Sequence, residues 1–398
     1  MNAASPAPAT QPIPVFDLHC DTADRLSWQT LSGSLRKAAG MHFYGPGDEA
    51  DPAGCRQLAR NHGAISVEKV GATPWAQCFA CFVPDELSPE EAVAFEAHVS
   101  AYLADQVAAC ADLGAVAVTR ASQVRPLLEG APAGEKDTRL VAVRTIENAR
   151  LFAADLGLVE RLARQGLLMA SLSWNAAGPL ASGHDTHEGL SATGAAALAE
   201  MERCGVVMDV SHLNDECFAD VAARARRPFV ASHSNSRAVC GHLRNLTDDQ
   251  FRCIRDAGGV VGLNYCTGFL VDGARGEAGR AVTPAQVMAH IEHWLDLDGE
   301  DVVALGGDLD GASVPDCLAD AAAMPAFQQA LLANFGEAVT RKLCYGNALA
   351  FFERMELPAL VRGRASRRLH VKMDAQRVPS VHKHMQTARS PCGRKATS

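Results

Sequence analysis

Eight short apolar runs punctuate the chain: "VFDLH" (15–19), "WAQCFACFV" (75–83), "LVAVRTIEN" (140–148), "GLLMASLSW" (166–174), "GVVMDVSH" (205–212), "PFVASHS" (228–234), "GVVGLNY" (259–265) and "DVVALGGD" (301–308). Each is almost continuously apolar, the pattern of a strand buried on both faces. Helical patterns lie between them. "SPEEAVAFEAHVSAYLADQVAACADLG" opens with Ser88 as cap and Pro89 in the first turn and stops at Gly114, the expected asymmetry of helix ends. "SATGAAALAEMERCG" and "NDECFADVAARARR" follow the fourth and fifth runs. "TDDQFRCIRDAGG" carries a Thr247-x-x-Gln250 capping box, and "TPAQVMAHIEHWLDL" again starts with Thr and Pro. Strand then helix, about eight times over, predicts an α/β fold of the (β/α)8 TIM-like barrel type. An open doubly wound sheet is the alternative. It would call for a Gly-rich phosphate loop after the first strand, and "HCDTADRL" has no glycine.

A barrel displays its chemistry at the C-terminal ends of its strands. The first run ends in His19-Cys20-Asp21, the third in Glu147, the fifth in His212, the sixth in His233 and the eighth in Asp308. The chain has only 14 histidines, so this placement is not diffuse background. A period of two puts His19 and Asp21 on one face of their strand. "VMDVSH" and "FVASHS" would bring His212 and His233 side by side on the rim. Imidazoles and carboxylates together suit zinc, with manganese or another divalent ion as alternatives. A lone Glu between two such half-sites can bridge two ions through its two oxygens.

Other features read as structural. Cys78 and Cys81 form a lone CxxC within an apolar run, without the second pair that a structural zinc site needs. "DLDG" (308–311) resembles the start of a calcium loop, but loop position 12 is Ala319 where Glu is required. "HIEH" (290–293) is expected on the surface of its helix, and "HDTH" (184–187) in a polar loop that could line a mouth. The 13 cysteines, odd in number and irregularly spaced, predict reduced thiols.

Length allows one large domain, expected over 15–357, after a flexible lead at 1–14. "MNAASPAPATQPIPV" has neither a basic nor an apolar signal region, and no run approaches a membrane span, so a cytoplasmic protein without an anchor is expected. The net charge is −9, yet residues 358–398 carry ten Lys/Arg and one acid, leaving −18 on the rest. That acidic body argues against nucleic acid as a partner of the main domain. The basic tail is expected to be disordered. A homo-oligomer is compatible with the sequence.

The motifs "DLHCDT", "TIEN", "MDVSH", "ASHSNSRAVCGHLRNLTDDQ", "GGDLDG" and "YGNALAFFERM" occur in this order from Val15 to Arg354. In them the chain resembles the membrane (renal-type) dipeptidases, metallopeptidase family M19 of the amidohydrolase-like barrels. The resemblance implies two Zn2+, one on His19 and Asp21, one on His212 and His233, with Glu147 bridging. It implies Arg244 as the clamp for the substrate's free carboxylate and Asp308 as the catalytic acid/base. Such an ion pair lowers the pKa of a bridging water and polarises the scissile carbonyl. Xaa-Xaa dipeptides, L,L and also L,D, are the implied substrates.

The chain departs from the family pattern at two of these positions. Well-known members end the fourth strand with a His that stabilises the oxyanion; here Trp174 stands there, as in a bacterial-type branch. An indole N–H donates one hydrogen bond and cannot become cationic. Cys20 stands where Asn is common, and the period of two turns it away from the rim. Two other readings remain open. One is a metallo-hydrolase of another carboxylate-bearing amide or a lactone. The other is a non-catalytic ligand-binding barrel, against which the presence of both Glu147 and Asp308 argues.

Overall fold

Among the described residues of the computed structural model, eight strands form: β1 Val15–Cys20, β2 Trp75–Phe82, β3 Ala115–Val118, β4 Leu140–Glu147, β5 Leu167–Ser171, β6 Val207–Asp209, β7 Val261–Leu263 and β8 Val303–Leu305. The structure describes residues 12–41, 56–130 and 138–356. The basic tail and most of the lead lie outside them. Every pairing is parallel, in the order β6-β5-β4-β2-β1-β8-β7, with β3 beside β4. Parallel strands require crossovers, and helices fill them. Those helices begin where the sequence places caps: Ser88 and Glu91 form a capping box ahead of Pro89–Ala109, and Thr247 and Thr283 do the same for Asp248–Asp256 and Pro284–Asp296. Among the described residues, no helix is long and apolar enough to cross a membrane.

Seven of the eight apolar runs become strands; the run at 228–234 does not. The expected closed eight-stranded ladder is therefore open between β6 and β7. The run still lies in that gap, with single parallel bridges from Val230 to Asp209 and from Ala231 to Val261. Side chains have taken two of its backbone donors: Ser232 N–H donates to Asp209 Oδ1 (2.9 Å) and His233 N–H to Ser211 Oγ (3.1 Å). Pro228 offers no N–H at all. In exchange, β3 forms from "AVAV", a run too short to stand out. It pairs with Leu140–Val143, the first half of the β4 edge whose second half pairs with β5.

All of β1 is buried, and its side chains alternate in environment with a period of two. Phe16 and Leu18 join an apolar cluster with Leu349, Phe351 and Phe352 of the helix Asn347–Glu356. Asp17 and His19 alternate with them. The β1–β2 register slips between Asp17 and Cys20, an irregularity that re-aims the end of the strand. His19 N–H then turns back onto the Asp17 carboxylate (3.0 Å), which also accepts from Gln77 Nε2 (3.0 Å) and Gly307 N–H (3.0 Å). One buried acid thus ties β2 and the β8 end to the base of His19. Cys20 is fully buried in apolar surroundings.

Candidate metal and substrate site

Five strand-end residues meet in one buried knot. His19 Nε2 lies 3.0 Å from Glu147 Oε2 and 3.6 Å from Asp21 Oδ1. His212 Nε2 lies 2.7 Å from Glu147 Oε1 and 2.9 Å from His233 Nε2. The His19 and His233 rings stack with centroids 3.7 Å apart. Three overlapping sets of donor atoms result, each within 4.8 Å: His19/Asp21/Glu147, Glu147/His212/His233 and His19/His233/Asp308. Among the described residues, no other group of His, Cys, Asp and Glu converges in this way. Cys78 and Cys81 are buried free thiols of β2 outside every set.

The hydrogen bonds behind the rings show what these atoms face each other with. His212 Nδ1 is 3.0 Å from Asn175 Oδ1, an acceptor, so Nδ1 carries the proton. His233 Nδ1 is 2.7 Å from Ser232 Oγ, whose own hydrogen goes to Asp209 Oδ2 (2.5 Å). Ser232 must therefore accept from His233 Nδ1. Both Nε2 atoms are left with lone pairs directed at each other and at the Glu147 carboxylate. Burial, then the Arg244 charge, holds His212 down at about 3, and burial with His19 and Arg244 holds His233 well below its ordinary value. Neither ring relieves the crowding by protonation near neutral pH. Buried lone pairs at such distances need a cation between them. Among the described residues, His19 Nε2 and Asp21 Oδ1 are buried without a well-formed hydrogen bond, His19 Nε2 facing only the carboxylates of Glu147 (3.0 Å) and Asp21 (3.6 Å). Burial opposes charge on His19, but Asp21 and Glu147 hold its pKa well above the usual range. Burial pushes Glu147 up, yet the facing imidazoles bring it below its ordinary value; with His212 neutral, the charge beside it near neutral pH is that of His19. The donor set thus fits divalent cations.

Two of these residues sit in backbone conformations that strands avoid. His212 has φ 71° and Asp308 φ 56°, both left-handed. Such strain clusters at functional sites and persists only where neighbours over-determine it. Asp308 lies 3.9 Å from His19 Nε2 through Oδ1, while Asn264 Nδ2 donates to its Oδ2 (3.0 Å). Burial raises its pKa. Glycine is required at 311: an added Cβ would lie 1.8 Å from Asp21 Oδ2 and 2.7 Å from Asp308 Oδ1. Asp310, the second acid of "GGDLDG", points elsewhere, accepting from Thr22 Oγ1, Arg25 Nη1 and Ala64 N–H.

Arg244 is buried, donates from Nη1 to Ser234 Oγ (2.7 Å) and leaves Nε and Nη2 without hydrogen-bond partners among the described residues. Its guanidinium lies 5.9 Å from the Phe269 ring centroid. A buried guanidinium with two free donors is a site awaiting an anion. A cavity of about 750 Å³ has Glu147, Trp174, Asn175, His212, Asp308 and Phe269, the ring under the Arg244 guanidinium, on its wall. The Trp174 ring packs edge-on against Phe82 (4.8 Å) and lies 6.5 Å from the His212 ring.

The matches to known proteins agree with this geometry. The family model "Membrane dipeptidase (Peptidase family M19)" matches residues 8–362. The chain belongs to peptidase family M19. Among solved structures, a dipeptidase of this family, "dipeptidase AC", superposes with TM-score 0.71 at 29% identity, covering 87% of this chain and 99% of that one. A Rhodobacter sphaeroides metallopeptidase, solved with a phosphinate mimic of the dipeptide L-Ala-D-Ala, gives 0.70 at 29%, covering 86% and 99%. In sequence, the "Uncharacterized protein in pqqA 5'region" of Klebsiella pneumoniae is 36% identical over 54% of this chain and 82% of its own length. Rat "Dipeptidase 3" is 29% identical over 42% of this chain and 34% of its own. This M19 chain is thus similar to metal-dependent hydrolases that act on peptides.

Sequence reasoning passed over several residues that shape the M19 site. Asp209 and Ser232 stand inside the very motifs that carry His212 and His233, which was the available signal. Asn175 and Ser234 also adjoin site residues, whereas Asn264 gave none. One reading is corrected: His290 of "HIEH" is fully buried, accepting Ser236 N–H at Nδ1 (3.1 Å) and facing Leu270 O through Nε2 (2.9 Å). His293 is the partly exposed one of the pair, against Asp248 (2.8 Å). His184 of "HDTH" packs beside the site, its ring 6.0 Å from His212, and belongs to no donor set.

Proposed function

We propose that this chain is a binuclear zinc dipeptidase. The observation that carries the reading is the pair of imidazole lone pairs, His212 Nε2 and His233 Nε2, 2.9 Å apart and aimed at Glu147. His19 and Asp21 would hold one ion, His212 and His233 the other, and Glu147 both. Two such ions supply an acidified water and a polarised carbonyl. Arg244 offers Nε and Nη2 to the C-terminal carboxylate of the substrate, and the fork fits a planar carboxylate. Asp308, its Oδ2 held by Asn264, takes the proton of the attacking water and returns it to the leaving amine. Burial raises the pKa of Asp308, the direction that makes a carboxylate a better base. Trp174 closes one wall of the cavity. The sheet is read as a (β/α)8 barrel in which 228–234 is the eighth stave, supported by Val210 N–H to Val230 O (2.7 Å) and Gly262 N–H to Ala231 O (2.8 Å).

The test is turnover of a panel of L,L and L,D dipeptides by zinc-loaded protein, with chelated protein and Glu147→Ala beside it. The expected result is cleavage that needs about two zinc per chain and a free C-terminal carboxylate. Activity that survives chelation or loss of Glu147, or a panel without turnover, overturns the reading.

A further inference from the structure

Glu147 ends β4 and His212 follows β6, with β5 between them, yet Glu147 Oε1 and His212 Nε2 lie 2.7 Å apart. Two tethers lead back from that gap to one side chain. On the Glu147 side, Asn148 is buried with φ 60°, and its Nδ2 donates to Val83 O (2.7 Å) and to Asp85 Oδ1 (3.0 Å). On the His212 side, Nδ1 donates to Asn175 Oδ1 (3.0 Å) from the ring edge opposite Nε2, and so sets the direction in which Nε2 points. The next backbone N–H, that of Ala176, donates to Asp85 Oδ2 (3.0 Å). β5 stops at Ser171, so residues 174–176 lie beyond its ladder. The two oxygens of one carboxylate thus hold the residue after Glu147 and the residue after Asn175. The Asp85 side chain is 11% exposed and lies outside the cavity wall and every donor set. Arg150 sits behind it, with Nη1 3.8 Å from Asp85 Oδ1 and donating to Pro84 O (3.0 Å).

We propose that Asp85 is a positioning residue that sets the Glu147–His212 gap, and with it the affinity for the ion on His212 and His233. The inference rests on the binuclear reading. Asp85 touches neither an ion nor the substrate. It acts through Asn148 on one side and through Ala176 and Asn175 on the other. An ion shared by two strand ends is held only as firmly as those ends are held relative to each other, and the groups behind the ligands do that holding.

Two variants separate the tethers. In Asp85→Asn the amide oxygen stays toward Asn148 Nδ2 and Arg150, and its NH2 group then faces the Ala176 N–H. That releases the His212 side alone. Asn148→Gly keeps the left-handed backbone, which glycine adopts without strain, and cuts the Glu147 side alone. Zinc affinity is measured ion by ion through competition with a chelating dye, alongside the urea midpoint of the metal-free protein. Asp85→Asn should weaken one of the two ions by about 10- to 100-fold and leave the other near its wild-type affinity. Asn148→Gly should weaken both ions, because Glu147 belongs to both.

Wild-type affinity for both ions in Asp85→Asn overturns the proposal. Equal weakening of both ions in that variant overturns it as well, since a merely structural carboxylate lowers the urea midpoint without preferring one ion. Should Asp85→Asn fail to fold, undiminished zinc binding by Asn148→Gly overturns it. Wild-type protein that holds fewer than about two zinc ions removes the proposal together with the reading beneath it. Wild type with both ions and Asp85→Asn indistinguishable from it removes the proposal alone.

Discussion

Neutral His290 is required where it sits, and acid should expose that requirement. Its Nδ1 accepts Ser236 N–H, so the ring proton lies on Nε2 and is donated to Leu270 O. A second proton would place N–H against N–H at Ser236. Burial is the main reason its pKa falls from 6.5 to about 4. The folded value lies below the unfolded one, so on acidification the unfolded chain takes up the proton first. Stability is complete above pH 6.5, is lost between 6.5 and about 4, and levels off below. That interval is worth about 3 kcal/mol at ~1.4 kcal/mol per pH unit. The assay is urea unfolding of wild type and His290→Asn, at equal zinc content, at about pH 7.5 and about pH 4.5. Asn keeps an acceptor for Ser236 N–H and strands Leu270 O, so the variant should start about 1–3 kcal/mol lower. Other histidines titrate equally in both proteins, and only the difference between them reports on His290. The gap should narrow or reverse on acidification. A gap that stays constant between the two pH values would refute the reasoning.

Arg244→Met should lower kcat/KM for dipeptides roughly 10- to 100-fold, chiefly through KM, and leave zinc content unchanged. Steady-state kinetics with metal analysis checks this. Ser232→Ala removes the acceptor that fixes the His233 proton on Nδ1 and should weaken zinc binding about 10- to 100-fold, read by competition with a chelating dye. Gly311→Ala should displace Asp21, lowering zinc content in a protein whose circular dichroism is unchanged, because the new Cβ falls 1.8 Å from Asp21 Oδ2.

The donor residues were legible because each terminates an apolar run, and a parallel sheet aligns such ends by construction. Glu147, His212 and His233 needed only strand order to meet. Hydrogen-bond partners were less visible. Nothing in "MDVSH" says that Asp209 will take the Ser232 N–H that a ladder would otherwise claim, so 228–234 looked like a strand. His290 was misplaced although its spacing held the clue. Val287, His290, Ile291 and Trp294 form one buried stripe at helical spacing, and His293 falls off it. A polar side chain on an apolar stripe reads as surface until its two backbone partners are known, and those come from segments 20 and 54 residues away. The Asn175 amide shows the same limit: its neighbour Trp174 drew attention, while the contact that orients Asn175 lies on another strand's end.

The open seam between β6 and β7 has a mechanical consequence. A wall with a gap in its ladder would be expected to breathe there, and His212 and His233 stand on either side of the seam's first joint. Yet their segments are clasped by one carboxylate: Asp209 accepts Ser211 N–H (3.0 Å), Ser232 N–H (2.9 Å) and the Ser232 hydroxyl (2.5 Å). The two imidazoles are therefore referenced to a common anchor. Motion of the helices outside, or slippage at the unladdered edge, would carry both together and leave their separation unchanged. A joint with a single sheet bridge is thus closed by a side chain in place of a ladder.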